Sequence, residues 1–434
     1  MKYFFGAAPI IMVLVFSDLH AQKKLYSQLD KYTAEIEEKM VQWRREIHQN
    51  PELSNREFKT AEKVANHLKG LGLEVQTGIA HTGVVGILKG GKPGPVIGLR
   101  ADMDALPVTE RVDVPFASKV KSEYNGIETG VMHACGHDTH VAILMATAEV
   151  LSKVKNELPG TIKFIFQPAE EGSPPGEEGG ADLMVKEGVL KSPDVEAVFG
   201  LHISSDTPVG QIEYKSGGMM AAADRFVIKI KGVQSHGSAP WAGVDPVVTA
   251  AQVIIGLQTI VSRQTELTKE AAVISVGLIR GGVRNNIIPE EVEMIGTIRT
   301  LDTQMQDTIH AKIIKTAKLI AQSQGAVADV EIVRNVPVTY NDPHLTNKML
   351  PSLYRVAGKD NIKEINAVTG GEDFSYFANE VPGFFFFLGG LPASHKEGDY
   401  IPSHHTPDFY IDDSGLITGL RAMLTLSVDY LYSK

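Results

Sequence analysis

The chain has 434 residues, 43% hydrophobic and 22% charged, which is enough apolar material for about two or three domains. A formal net charge of -10 with no strongly basic block excludes a nucleic-acid surface, since phosphate binding needs clustered Lys and Arg. A single cysteine excludes an intramolecular disulfide.

The N-terminus, MKYFFGAAPIIMVLVFSDLHAQ, has one early Lys, an apolar stretch ending near Phe16 and a small residue, Ala21, before Gln22. This is the layout of a secretory leader over residues 1–21. Its apolar run is short for a bilayer span, and no later stretch is expected to cross a membrane. The expectation is a secreted or periplasmic protein, free of the membrane once the leader is removed. Helical spacing of Tyr32, Ile36, Met40, Trp43 and Ile47 predicts a helix from Leu29 to His48, and a second runs from Phe58 to Leu71. Short strands follow in LEVQTG, TGVVGILKG and PVIGLRADMDALP, the last buried on both faces around Val96 to Leu99. The loop HACGHD at 133–138 opens a helix. Further strands are GTIKFIFQPAEEG and VEAVFGLHIS.

Near Gly217 the pattern changes. ADRFVIKIKG alternates as a half-exposed antiparallel strand should, and the order after it is β-α-β-β-α-β, the split βαβ of ferredoxin-like domains. The chain then returns to αβ character through the helix from His344 to Ala357, GGEDF, GFFFFLGG and a last helix from Ser414. The reading is an α/β domain interrupted by a smaller inserted one: a leader over 1–21, catalytic parts over 22–216 and 334–434, and a lid or dimerisation domain over 217–333.

HACGHD places His133, Cys135, His137 and Asp138 within six residues. Thiolate and imidazole from one tight loop can converge on an ion, which makes half a metal site; the alternative is a buried small thiol beside loop histidines. Other candidate donors stand at strand ends. Asp102 and Asp104 follow Leu99, Glu170 and Glu171 follow GTIKFIF, His202 follows VEAVFGL, and His404 and His405 follow GFFFFLGG. Open α/β sheets bind ligands beyond the carboxyl ends of their strands. Any one of these groups is as readily a solvated acid or a hydrogen-bonded histidine. Together they point to one edge.

RADMDALP, HACGHD, FQPAEEG, GLH, SHGSAP, NIIP, GTIRT, GGEDF and HTPDF occur in this order. The sequence thereby resembles the metal-dependent amidohydrolases of the aminoacylase and carboxypeptidase superfamily, in the branch of hippurate hydrolases and auxin-conjugate (indoleacetyl-amino acid) hydrolases, from about Met40 to near the C-terminus. The resemblance implies a zinc-peptidase-like catalytic domain with a mixed sheet and a ferredoxin-like lid. It implies two divalent metal ions, Zn or Mn, held by Cys135, His137, Glu171, His202 and His405, with His404 as the other choice in SHHTPDF. Those donors suit either metal, the thiolate favouring Zn. Glu170 is implied as the general base, and Asp104 as the partner that orients a ligand histidine. If the two glutamates are extended, they face opposite sides.

In the lid, the resemblance makes His236 a holder of the oxyanion and Asn286 and Arg299 contacts to a substrate carboxylate; in the second catalytic part, the pair Gly370 and Gly371 is expected to let backbone approach the substrate. Trp241 stands where the branch commonly has a basic or imidazole residue. His133 and His140 receive no role. The implied activity is hydrolysis of the amide of an N-acyl amino acid, or of a short peptide, by metal-activated hydroxide in a homodimer. Two alternatives use the same residues: a metallocarboxypeptidase or dipeptidase, and a binding protein that kept the fold without the chemistry.

Overall fold

The computed structural model describes residues 9–396 and 398–433, with side chains from Lys23 onward, so the expected 1–21 leader lies outside the fully described residues. Two compact units emerge. The first comprises Met1–Tyr214, Asp342–Glu364 and Glu380–Lys434, and the second Lys215–Asn341 and Ile365–Asn379.

The first unit is built on an eight-stranded mixed sheet. In spatial order the strands are Glu74–Ile79, Gly83–Lys89, Pro159–Gln167, Lys92–Asp102, Ala197–Pro208, Gly383–Leu391, Ile212–Tyr214 and Ile362–Glu364. The four from Pro159–Gln167 to Gly383–Leu391 run parallel; three have almost wholly buried C-terminal halves, and Ala197–Pro208 is buried through Ser205. Such strands need cover on both faces. The helix His137–Lys153 is buried from His137 through Ala148 without a break, as expected of a helix apolar all round. The helix Leu416–Tyr432 is buried from Ala422 through Val428.

Some boundaries differ from the sequence reading. The first helix spans Pro9–Gln49 rather than starting at Leu29. The strand begun by VEAVFGL continues to Pro208, so His202 sits inside it and not after it. A small exposed hairpin, Lys121–Tyr124 with Ile127–Gly130, precedes HACGHD.

The second unit has the expected β-α-β-β-α-β order. Its antiparallel sheet runs Ala272–Gly281, Glu291–Thr300, Ala222–Lys231, Val327–Val336, with helices Pro246–Gln264 and Thr303–Ser323. This unit also takes in Ile365–Asn379, which the sequence reading leaves in the catalytic part. The reason is long-range pairing: Val368 N donates to Met219 O at 3.0 Å and Ala221 N to Gly370 O at 2.9 Å. The helix Pro246–Gln264 is long and apolar enough to span a bilayer, contrary to the expectation of no such stretch. Its apolarity has another use, because Ala250, Val253, Leu257 and Ile260 are fully buried in the core of this unit.

In the first unit, Arg44 lies 2.8 Å from Asp138 and 3.3 Å from Asp413, and His48 Nδ1 bonds Asp138 at 2.9 Å, with Arg44, His48 and Asp138 all buried. Removing one partner leaves the other charge buried and uncompensated. Arg44→Met is expected to cost about 3 kcal/mol in a urea titration at pH 7; a loss below about 0.5 kcal/mol would show that the pair stabilises nothing.

Candidate metal centre

Most candidate donors of the first unit lie where the parallel strands end or in loops, but His202 lies within the strand Ala197–Pro208 and His137 opens a helix. Asp102 is the last residue of its strand and fully buried. Its Oδ2 takes Arg100 Nη1 at 2.8 Å and its Oδ1 pairs with His140 Nδ1 at 2.5 Å. Burial would raise its pKa, but Arg100 and His137 hold it well below the usual carboxylate range. Two residues on, Asp104 acts as a four-way acceptor. Its Oδ1 faces His137 Nδ1 at 3.2 Å and Glu170 N at 3.1 Å, while Oδ2 takes Ser54 Oγ at 2.7 Å and Glu171 N at 3.0 Å.

Such partners decide which nitrogen each imidazole offers. His137 spends Nδ1–H on Asp104. Its Nε2 is buried with no hydrogen-bond partner among the described residues, yet lies 3.8 Å from Asp102 Oδ2, 3.9 Å from Glu170 Oε2 and 3.9 Å from Glu171 Oε1. His202 donates Nδ1–H to Ile203 O at 2.6 Å, which turns its Nε2 lone pair toward Cys135 Sγ, 3.3 Å away. His140 has nothing left to offer a metal, because its Nε2 accepts from Ile203 N at 2.8 Å. Sequence reading gave this histidine no role; buried and doubly bonded, it anchors Asp102.

Of the two candidates in SHHTPDF, His404 is half-buried and its Nε2 accepts from Ser205 N at 3.2 Å. That makes Nδ1 the protonated nitrogen, 3.7 Å from Cys135 Sγ. His405 instead brings Nε2 to 3.2 Å from Cys135 Sγ and 3.1 Å from Glu171 Oε1. Its backbone is left-handed at φ 63°, and its N–H is tied to Ala134 O at 2.8 Å, which holds this loop against HACGHD. A non-glycine residue in that conformation is uncommon and concentrates at functional sites.

Glu170 and Glu171 do not lie on an extended segment. Ala169 is left-handed at φ 52° and the two acids form a turn, so both carboxylates come within 3.9 Å of His137 Nε2 instead of facing opposite sides. Cys135, His137 and Glu171 present donor atoms within 4.8 Å of one another, as do Cys135, His202 and His404. The donor set fits divalent cations. Lone pairs of His137 and His202 converge with a carboxylate and a sulfur, and the surrounding acids make the spot one where positive charge is held. Burial lowers the His137 pKa, but Asp102 and Asp104 more than reverse this and lift it to about 10, so its Nε2 lone pair becomes available when a cation displaces the proton. Burial, then Glu171 and Glu170, push the Cys135 thiol well above its ordinary value. It becomes a thiolate only beside a cation. His133 is buried with neither ring nitrogen hydrogen-bonded among the described residues, and burial takes its pKa down to about 3.

Comparison with known proteins assigns the family. The model of peptidase family M20/M25/M40 matches residues 98–428. The chain belongs to this family. It is 40% identical to thermostable carboxypeptidase 2 of Saccharolobus solfataricus, over 94% of this chain and 99% of that one. It is 36% identical to IAA-amino acid hydrolase ILR1-like 2 of Arabidopsis thaliana, over 92% and 87% respectively. Among solved structures, the Bacillus subtilis YXEP protein, described as a dinuclear metal-binding peptidase of the M20 family, superposes with a TM-score of 0.76 at 34% identity, covering 92% of this chain and all of that one. The M20 match spans both the metal centre and the whole of the second unit's sheet.

The remaining candidates lie in that second unit. His236 is exposed, and its Nδ1 accepts from Ser238 N and pairs with Ser238 Oγ at 3.0 and 2.7 Å, which leaves Nε2 as an N–H donor. Arg299 is half-buried in the sheet opposite Ala223, and Asn286 is exposed beside the short strand Ile287–Ile288. A Cβ on Gly370 would meet only Met220 Cε at 3.5 Å, whereas one on Gly371 would press Ala223 at 3.1 Å. Trp241 is 83% exposed.

Proposed function

We propose that the chain is an M20 amidohydrolase that cleaves N-acyl amino acids, with two divalent ions, Zn or Mn, held by Cys135, His137, Glu171, His202 and His405. The observation that carries this reading is the preset direction of the lone pairs. His137 and His202 each spend Nδ1–H on an oxygen and turn Nε2 toward the same cluster of sulfur and carboxylate. His405 is preferred to His404 because the Ser205 N–H occupies His404 Nε2.

When bound, the ions supply Lewis acidity toward the amide carbonyl and lower the pKa of water. The protein's own part is proton transfer and placement. Glu170, with its backbone N–H held by Asp104, takes the proton of the attacking water and gives it to the departing amine nitrogen as the C–N bond breaks. Asp104 aligns His137 and the Glu170–Glu171 turn at once, and Asp102, clamped by Arg100 and His140, supplies fixed negative charge beside His137. In the second unit, His236 has an Nε2–H suited to an oxyanion and Arg299 a guanidinium suited to a carboxylate; Asn286, Gly370 and Gly371 are the further substrate contacts.

Incubating the Zn- or Mn-loaded protein with N-acetyl, N-benzoyl and indoleacetyl amino acids and with dipeptides tests the activity. Release of amino acid from the acylated set is expected. Turnover of dipeptides alone would favour the carboxypeptidase reading, to which the 40% identity with thermostable carboxypeptidase 2 lends weight. No hydrolysis of any of them would sink both.

Export and a homodimer complete the proposal. The leader-like N-terminus supports the first. Exposed Ile279 on the edge strand Ala272–Gly281 and exposed Ile255 support the second, since such an edge invites pairing with another copy. Light scattering and intact mass of the expressed protein should give a dimer beginning at Gln22. A monomer would remove the dimer, and a retained N-terminus would remove leader cleavage.

A further inference from the structure

Glu57 is fully buried, and no role in the chemistry falls to it from its place in the chain. It precedes the helix Phe58–Gly70 but does not cap it with its side chain. The carboxyl turns inward instead. Oε1 accepts from Ala169 N at 2.9 Å and Oε2 pairs with Thr82 Oγ1 at 2.5 Å. Ala169 is the left-handed residue that starts the Glu170–Glu171 turn. Three consecutive backbone amides, of residues 169, 170 and 171, are therefore held by two buried carboxyl groups. Glu57 takes the first, and Asp104 takes the other two.

We propose that Glu57 is a positioning residue: by holding the Ala169 amide in its left-handed conformation, it fixes where the Glu170 and Glu171 carboxylates point. This rests on the reading of Glu170 as proton carrier and Glu171 as metal ligand. A left-handed alanine is disfavoured by about 1 kcal/mol or more, so without a clamp the turn relaxes toward ordinary backbone and carries both side chains with it. The position also explains how two carboxyls can be buried side by side. With Oε1 accepting from Ala169 N and Oε2 facing a hydroxyl that can donate or accept, the Glu57 carboxyl is satisfied in either form, and burial, then the Asp104 charge, raises its pKa to about 8. An uncharged carboxyl has the shape and pairing of a carboxamide. Gln at this position can accept from Ala169 N–H and donate to Thr82 Oγ1, whereas Asp falls one methylene short of spanning the two.

The test compares wild type with Glu57→Gln and Glu57→Asp, reading kcat, KM, thermal midpoint and affinity for cobalt(II) by absorption titration. Glu57→Asp should lose about 30- to 100-fold in kcat with KM within about threefold, and bind cobalt about 10-fold more weakly. Glu57→Gln should stay within about fivefold of wild type in kcat and match its cobalt affinity. Asp at wild-type rate and affinity would overturn the proposal, as would Gln as impaired as Asp, since charge rather than reach would then be at work. If the wild type cleaves none of the substrates tried, the hydrolase reading fails separately. The cobalt titration still decides on Glu57: equal affinity in all three proteins would reject it.

Discussion

Glu170→Gln is expected to lower kcat by about 100- to 10,000-fold while leaving metal content and the thermal midpoint near those of the wild type. The carboxamide fills the same space and the backbone N–H to Asp104 is untouched, so the turn survives. What disappears is the group that carries a proton from water to the leaving nitrogen, a contribution of about 100- to 10,000-fold in general acid–base catalysis. Steady-state kinetics beside metal analysis separates this from collapse of the site. A variant that turns over at the wild-type rate would remove Glu170 from the proton path. A variant that loses its metal would make it a ligand instead.

Cys135→Ser is expected to weaken metal affinity at least about 100-fold, or about 2.7 kcal/mol, because a direct ligand should matter no less than the outer partners whose loss costs about 10- to 100-fold. Sulfur lies between His202 and His405 Nε2, at 3.3 and 3.2 Å, so any ion held by either imidazole meets it. A serine hydroxyl is harder, shorter and remains protonated, so it neutralises no charge on the ion. Competition titration with a chelator measures the change. Unchanged affinity would reduce Cys135 to a buried thiol packed among histidines.

Much of this protein is readable in one dimension because its strands and donors follow simple periodicities. Buried apolar runs announce the parallel strands, and the acids and imidazoles that follow them can only meet at the sheet's carboxyl edge. The β-α-β-β-α-β order of the second unit is likewise visible, because half-exposed antiparallel strands alternate while parallel ones do not. Ile365–Asn379 reads from sequence as part of the catalytic domain, since its backbone bonds to Met219 and Ala221, about 150 residues earlier, leave no periodic trace.

The sequence by itself determined the kinds of donor atom, their order and the edge at which they gather. Only the tertiary structure decided what each donor can do. His137 and His202 offer lone pairs, His140 offers none, and His404 differs from its neighbour His405, because the hydrogen bond on one ring nitrogen chooses the proton on the other. The left-handed turn at Ala169 overturned the expectation that the two glutamates diverge, and the buried carboxyls of Glu57 and Asp104 make that turn. Most of those partners lie tens to hundreds of residues apart in the chain. Pairings over such distances are set by packing of the whole sheet and its helices, and no local pattern of residues encodes them.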